Sequence, residues 1–234
     1  MYKTGYSSSF FIKTMKIGIY GGAFNPIHYG HLRTAEEVYD LLSLDKVLFI
    51  PSGKTPFDKP DLEKATHRYE MVKRAITGNR HFEVSDIEMR KRDRSYTVDT
   101  IKELRNKYSG SEFFCILGLD AFHDLPGWKQ PDVLIDLTSV IVISRPGYTF
   151  IELASLPYLG DVPPKKLKEL DKGKMNEYSF RISKKQKGYL CNVTELNISA
   201  SRIRSLITSG KKIKYLLPDS VNSYIISNKL YKSG

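Results

Sequence analysis

An open α/β fold, a parallel sheet covered by helices on both faces, is predicted by three features of this 234-residue sequence. Short apolar runs alternate along the chain with stretches of helical period. Several of those runs are continuously apolar, as strands buried on both faces are. The first run ends in a glycine pair and leads straight into a helix, as the opening unit of a doubly wound sheet does.

Taken in order, Lys16–Tyr20 (KIGIY) is a buried strand that ends at Gly21-Gly22, and Leu32, Ala35, Tyr39 and Leu42 mark the helix after it. Val47–Ile50 is the second strand, stopped by Pro51, and Tyr69, Val72 and Ile76 share one face of a helix over 65–77. Phe82–Met89 alternates as a third strand, and Val98, Ile101, Leu104 and Tyr108 form the next helical stripe. Phe113–Leu117 and Val140–Ser144 are further apolar strands. After Arg145-Pro146-Gly147 the character changes. Pro163-Pro164 opens a basic stretch, within which 178–183 and 188–193 pair as a hairpin. Ile203, Leu206 and Ile207 then mark a helix capped by Ser199 or Ser201, and a last helix follows Pro218. The prediction is a Rossmann-like doubly wound sheet in a single domain, residues 15–234, with a small helical part at 199–230. Residues 1–14 read as a loosely held extension, since Phe10-Phe11-Ile12 is too short an apolar run for a signal peptide.

Composition narrows the function classes. Hydrophobic content of 41% and charged content of 27% exclude a disordered chain. No apolar run reaches membrane-spanning length. Two cysteines, Cys115 and Cys191, make neither a disulfide framework nor a zinc spacing, so a reducing, cytoplasmic setting is expected. The net charge is +11, and residues 161–234 hold 16 basic and 6 acidic side chains, so the rest of the chain carries only +1. Such a field draws anions, although a solvated lysine surface explains the same count.

The string with most chemical content is Gly21-Gly22-Ala23-Phe24-Asn25-Pro26-Ile27-His28-Tyr29-Gly30-His31. It lies between the first strand and the first helix, where an open parallel sheet places its ligand. Glycines let backbone N–H groups approach a phosphate, and the helix start adds positive potential. His28 and His31 are three apart, so both imidazoles reach one anion and stabilise charge on a phosphoryl group. A glycine pair alone is a turn, and a pair of histidines is commonplace on a surface. The whole string in its strand–helix setting is far more specific than its parts. A Walker loop and a dinucleotide fingerprint are both excluded by the glycine spacing, and no third ligand for zinc is in reach.

The string resembles the His-x-Gly-His signature of the nucleotidyltransferase superfamily, and Ile198–Arg204 (ISASRIR) resembles its second half. Ser199, Ser201 and the free N–H groups of a helix start form a phosphate cradle, with Arg204 one turn further in. Within the superfamily, the intervening strings resemble nicotinate-nucleotide adenylyltransferases from about Lys16 to Tyr231. They are Ala65–Met71, Ser95–Thr100, Gly118-Leu119-Asp120, Leu125-Pro126-Gly127-Trp128, Ser144–Gly147 and Tyr215–Val221. The resemblance implies an ATP site of Gly21, Gly22, Ala23, Phe24, Asn25, His28, His31, Gly118, Asp120, Ser199, Ser201 and Arg204. For the second substrate it implies Thr97, Leu125, Trp128, Arg145 and Lys59. A lone tryptophan on a Pro-Gly turn also suits stacking on a pyridine ring, though it equally suits the edge of a core. The expected reaction joins ATP and nicotinate mononucleotide, with Mg²⁺ on the phosphates and His28, His31 and Arg204 as the catalytic groups.

Two departures stand out. The family's Pro-Pro-His-Lys string is replaced by Pro51-Ser52-Gly53-Lys54-Thr55-Pro56-Phe57-Asp58-Lys59, so that Lys59 or Lys54 supplies the basic group. The basic stretch 163–188 reads as an insertion, for which a homo-oligomer contact and a substrate lid are both open. Rival readings are the same chemistry on nicotinamide mononucleotide or phosphopantetheine, and a basic nucleic-acid-binding protein, for which no motif is present.

Overall fold

The computed structural model describes residues 14–54 and 61–232. Seven strands form one sheet: β1 (Lys16–Gly22), β2 (Lys46–Pro51), β3 (Phe82–Val84), β4 (Glu112–Gly118), β5 (Ser139–Ile143), β6 (Glu177–Arg181) and β7 (Lys187–Cys191). Their order is β3-β2-β1-β4-β5-β7-β6, parallel throughout except for β6, which runs antiparallel to β7. The chain therefore moves outward from β1 to β3, returns to pair β4 with β1, and moves outward again. The β1–β4 junction is the switch point of the sheet.

Alternation along the strands divides the core in two. Ile17 and Ile19 of β1 with Phe113, Cys115 and Leu117 of β4 face one side, and Phe114 and Ile116 of β4 face the other. The first side is covered by α3 (Thr97–Lys107), α4 (Leu119–His123), α5 (Pro131–Leu137) and α6 (Pro164–Asp171). On the second lie α1 (Tyr29–Leu41), α2 (Ala65–Ile76), α7 (Ala200–Thr208) and α8 (Asp219–Ser227). Both cysteines are free and buried, and no helix among the described residues is long and apolar enough to cross a membrane.

The third strand is shorter than its alternation predicts. It ends at Val84 because the Ser85 hydroxyl accepts the Ile87 N–H, and the Asp86 carbonyl then accepts those of Met89 and Arg90, which turns the chain. Ile87 is buried from within that turn. The predicted hairpin forms with shorter strands that start one residue earlier, so that Lys187 pairs with Arg181 instead of lying in the connection, and its second strand is integral to the sheet through pairing with β5. Helix α6 lies in the basic stretch and buries Leu167 and Leu170 among its lysines. Of the expected extension, residues 1–13 lie outside the described residues.

Candidate active site

Where β1 and β4 part, the chain leaves β1 into the turn 23–27, which is held from below by Arg68 of α2. That side chain is 1% exposed and donates to the carbonyls of Ala23 (2.8 Å), Ser52 (2.6 Å) and Glu63 (2.8 Å). It thus ties the β1 turn to the end of β2. Asn25 is buried above it. Its Nδ2 donates to the Asp61 carbonyl at 2.9 Å, and its Oδ1 accepts from the Glu63 N–H at 3.2 Å.

His28 caps α1 and His31 lies in its first turn, with ring centroids 3.8 Å apart. The His28 N–H donates to His31 Nδ1 at 3.3 Å, so in the neutral ring the His31 proton sits on Nε2. His31 packs edge-on against Phe24 at 5.1 Å, with Tyr20 beside it. Burial, His28 and Arg145 together hold the His31 pKa well below its ordinary value; burial and Arg145 lower that of His28 to about 4. Both rings are neutral donors at pH 7. Gly30 makes room for this pair, since a Cβ there would come within 3.0 Å of His28 Nδ1. That nitrogen is buried and has no hydrogen-bond partner among the described residues.

Across the cleft, Ser199 caps α7 by accepting from the Arg202 N–H at 3.2 Å, and its hydroxyl lies 3.3 Å from that of Ser201. Arg204, one turn in, donates from Nη1 to the Asn25 carbonyl at 2.9 Å. The two motifs therefore meet directly, although 179 positions separate those residues. Among the described residues Arg204 has no carboxylate partner, which leaves most of its guanidinium donors for an incoming anion. The segment leading into α7 is pinned twice: the Val193 N–H donates to the Ser144 hydroxyl at 3.0 Å, and the Thr194 N–H donates to Glu37 of α1 at 2.7 Å.

Together these walls enclose a cleft of about 980 Å³. It is lined by Gly21, Gly22, Ala23, Phe24, Asn25, His28 and His31 from the first motif, and by Ser199, Ser201 and Arg204 from the second. Gly118, Asp120, Trp128 and Arg145 also line it. Arg145 donates to Asp120 Oδ1 at 3.1 Å, and a Cβ on Gly118 would lie 2.5 Å from that oxygen, so glycine is what lets the pair form.

Thr97 and Leu125 are not on this surface. Thr97 is the first residue of α3, after Tyr96 at the N-cap position, and Leu125 is 0% exposed, packed inward from the turn that carries Trp128 onto the cleft. Lys59 lies outside the described residues, and Lys54 is exposed and does not line the cleft. Sequence reasoning passed over Tyr20, Thr34 and the 194–197 segment, all of which line it. Thr34 was findable, because His28, His31 and Thr34 repeat at three-residue spacing on α1.

Comparison with known proteins places the fold and the family. The Cytidylyltransferase-like family matches residues 19–206, and the fold is that of a nucleotidyltransferase. Within that class, the chain belongs to the nicotinate-nucleotide adenylyltransferase family. A relative from Citrifermentans bemidjiense, named "Probable nicotinate-nucleotide adenylyltransferase", is 40% identical over 227 residues, covering 93% of this chain and 98% of the relative. A second of the same name from Geotalea daltonii is 39% identical, covering 94% and 100%. The fold matches the Plasmodium falciparum nicotinic acid mononucleotide adenylyltransferase complexed with NaAD, with a TM-score of 0.68 at 23% identity over 93% of this chain and 97% of that one.

Proposed function

We propose that the cleft joins ATP to nicotinate mononucleotide, giving nicotinate adenine dinucleotide and pyrophosphate. The observation that carries this reading is the bond from Arg204 to the Asn25 carbonyl. It fuses the two helix starts into one anion-binding surface, and among the described residues the guanidinium has no acidic partner. Family membership supports the choice of acceptor.

The mononucleotide's phosphate attacks the α-phosphorus of ATP, and the bond from that phosphorus to the oxygen bridging the α- and β-phosphates breaks, so that pyrophosphate leaves with the oxygen. With a second pKa of about 6, that phosphate is already largely dianionic at neutral pH and needs no general base. Catalysis is then positioning and charge stabilisation. His31 donates from Nε2 to the α-phosphate oxygens, and His28 supports it. Ser199, Ser201 and Arg204 hold the departing pyrophosphate. Asp120 and Arg145 orient the sugar and the acceptor, and Trp128 stacks on the pyridine ring. Magnesium arrives on the nucleotide as part of the MgATP substrate. The cation would be held mainly by nucleotide oxygens and water.

The test is pyrophosphate release from MgATP with nicotinate mononucleotide, nicotinamide mononucleotide and phosphopantetheine assayed side by side. Fastest turnover with nicotinate mononucleotide is expected. Preference for either other acceptor overturns the assignment.

A further inference from the structure

We propose that Tyr231, just before the end of the described chain, is a positioning residue for Arg204 that acts through Asn25. The inference rests on the reading above, in which Arg204 grips the phosphates of ATP. The Tyr231 hydroxyl donates to Asn25 Oδ1 at 2.9 Å, across 206 positions of sequence. That oxygen also accepts from the Glu63 N–H, while Nδ2 donates to the Asp61 carbonyl, so the amide has one orientation that satisfies all three bonds. With its side chain fixed at three points, Asn25 presents its carbonyl to Arg204 Nη1. This is the guanidinium's one hydrogen bond to protein among the described residues.

The phenol is itself held in place. Tyr231 has φ +61°, a left-handed conformation that a bulky side chain adopts only where its surroundings impose it. Its carbonyl lies 3.2 Å from the Thr208 hydroxyl, which also lies 3.1 Å from the Arg204 carbonyl one turn back along α7. The chain terminus and α7 are thus joined at both ends of one short path: Thr208 grips the Tyr231 backbone, and the Tyr231 hydroxyl returns through Asn25 to the Arg204 side chain. The groups facing the hydroxyl are Arg204, Arg68 and Glu63, and burial raises its pKa, so it stays a neutral donor throughout the working range.

Tyr231→Phe removes the donor and keeps the ring. The expected result is a rise of about 3- to 10-fold in KM for MgATP, the size of one neutral hydrogen bond. Turnover should change less than about twofold, and KM for nicotinate mononucleotide should not move. In an Arg204→Ala background, Tyr231→Phe should leave KM for MgATP where it is, because the residue through which it acts is gone. An unchanged KM in the single variant overturns the proposal. So does an undiminished effect in the Arg204→Ala background, which would mark a merely structural role. If Tyr231→Phe does not fold, Thr208→Val loosens the same path from its other end. A smaller rise in KM for MgATP is then expected, and no rise overturns the proposal. Titration with a non-hydrolysable ATP analogue repeats the comparison without turnover. An inactive wild type whose analogue affinity still falls in Tyr231→Phe would sink the reaction and leave the positioning role standing.

Discussion

The start of α1 is tied down on every side, whereas the start of α7 across the cleft carries its polar groups in the open. At α1, His28 is 6% exposed, the Tyr29 N–H is bound to the Leu216 carbonyl at 3.1 Å, and the turn before it hangs on Arg68 and Asn25. At α7, Ser199 and Ser201 are exposed, and among the described residues the Arg204 guanidinium makes one hydrogen bond to protein. Donors fixed before the reaction need no reorganisation as charge develops, so the α1 wall suits the α-phosphate, where charge changes most. Loosely held donors are ordered by the ligand and contribute mainly to its binding. Substitutions at α1 should therefore lower turnover, and those at α7 should raise KM for MgATP.

The largest effect is expected from His31→Ala, which removes the Nε2 donor. Turnover should fall by about 10²- to 10³-fold, in the range of a lost oxyanion donor, while the melting temperature stays within a few degrees of wild type. Near-wild-type turnover would remove His31 from the mechanism. Arg204→Ala comes next: KM for MgATP should rise roughly 10- to 100-fold, as for loss of a charge-assisted bond, with turnover changed only a few-fold. A fall in turnover matching that of His31→Ala would break the contrast between the two walls.

Gly30→Ala sharpens the contrast within the α1 wall. The added Cβ would sit 3.0 Å from His28 Nδ1 and 3.1 Å from its Cε1, so the ring must shift, and the stacked His31 with it. Turnover should fall about tenfold with KM for MgATP little changed, because a small misplacement of a catalytic group is enough. A purely structural glycine would show a lower melting temperature and intact kinetics instead.

What the sequence revealed divides along a similar line. β1, β2, β4 and β5 were legible because each is a continuous apolar run between turn residues, and both motifs of the candidate site were legible because their partners lie within one turn of helix. The α6 helix was not, since its stripe is only Leu167 and Leu170 among lysines. The residues that hold the site together were invisible for a different reason. Arg68 reaches Ala23 across 45 positions and Tyr231 reaches Asn25 across 206, and no local period marks either. Leu125 and Trp128 belong to one string, yet one turns into the core and the other onto the cleft. A shared string fixes the turn and leaves the direction of each side chain to the packing around it.

The smallest effect tests what it costs to bury the α1 wall. An ordinary histidine has a pKa of 6.5, and His28 is lowered to about 4 by burial and by Arg145. Between those values the unfolded chain binds a proton that the folded chain does not, so stability rises with pH across this window and falls on acidification. By pH 5.5 the loss relative to pH 7 should be about 1 kcal/mol for such a group, a few degrees of melting temperature for a chain of this size. His31, lowered in the same direction, adds to the slope. His28→Asn should flatten the His28 share of it, whereas Ser201→Ala on the exposed wall should leave the slope as it is. Equal slopes in wild type and His28→Asn would show that the burial of this imidazole is not what the pH dependence reads. The two walls would then differ in geometry alone.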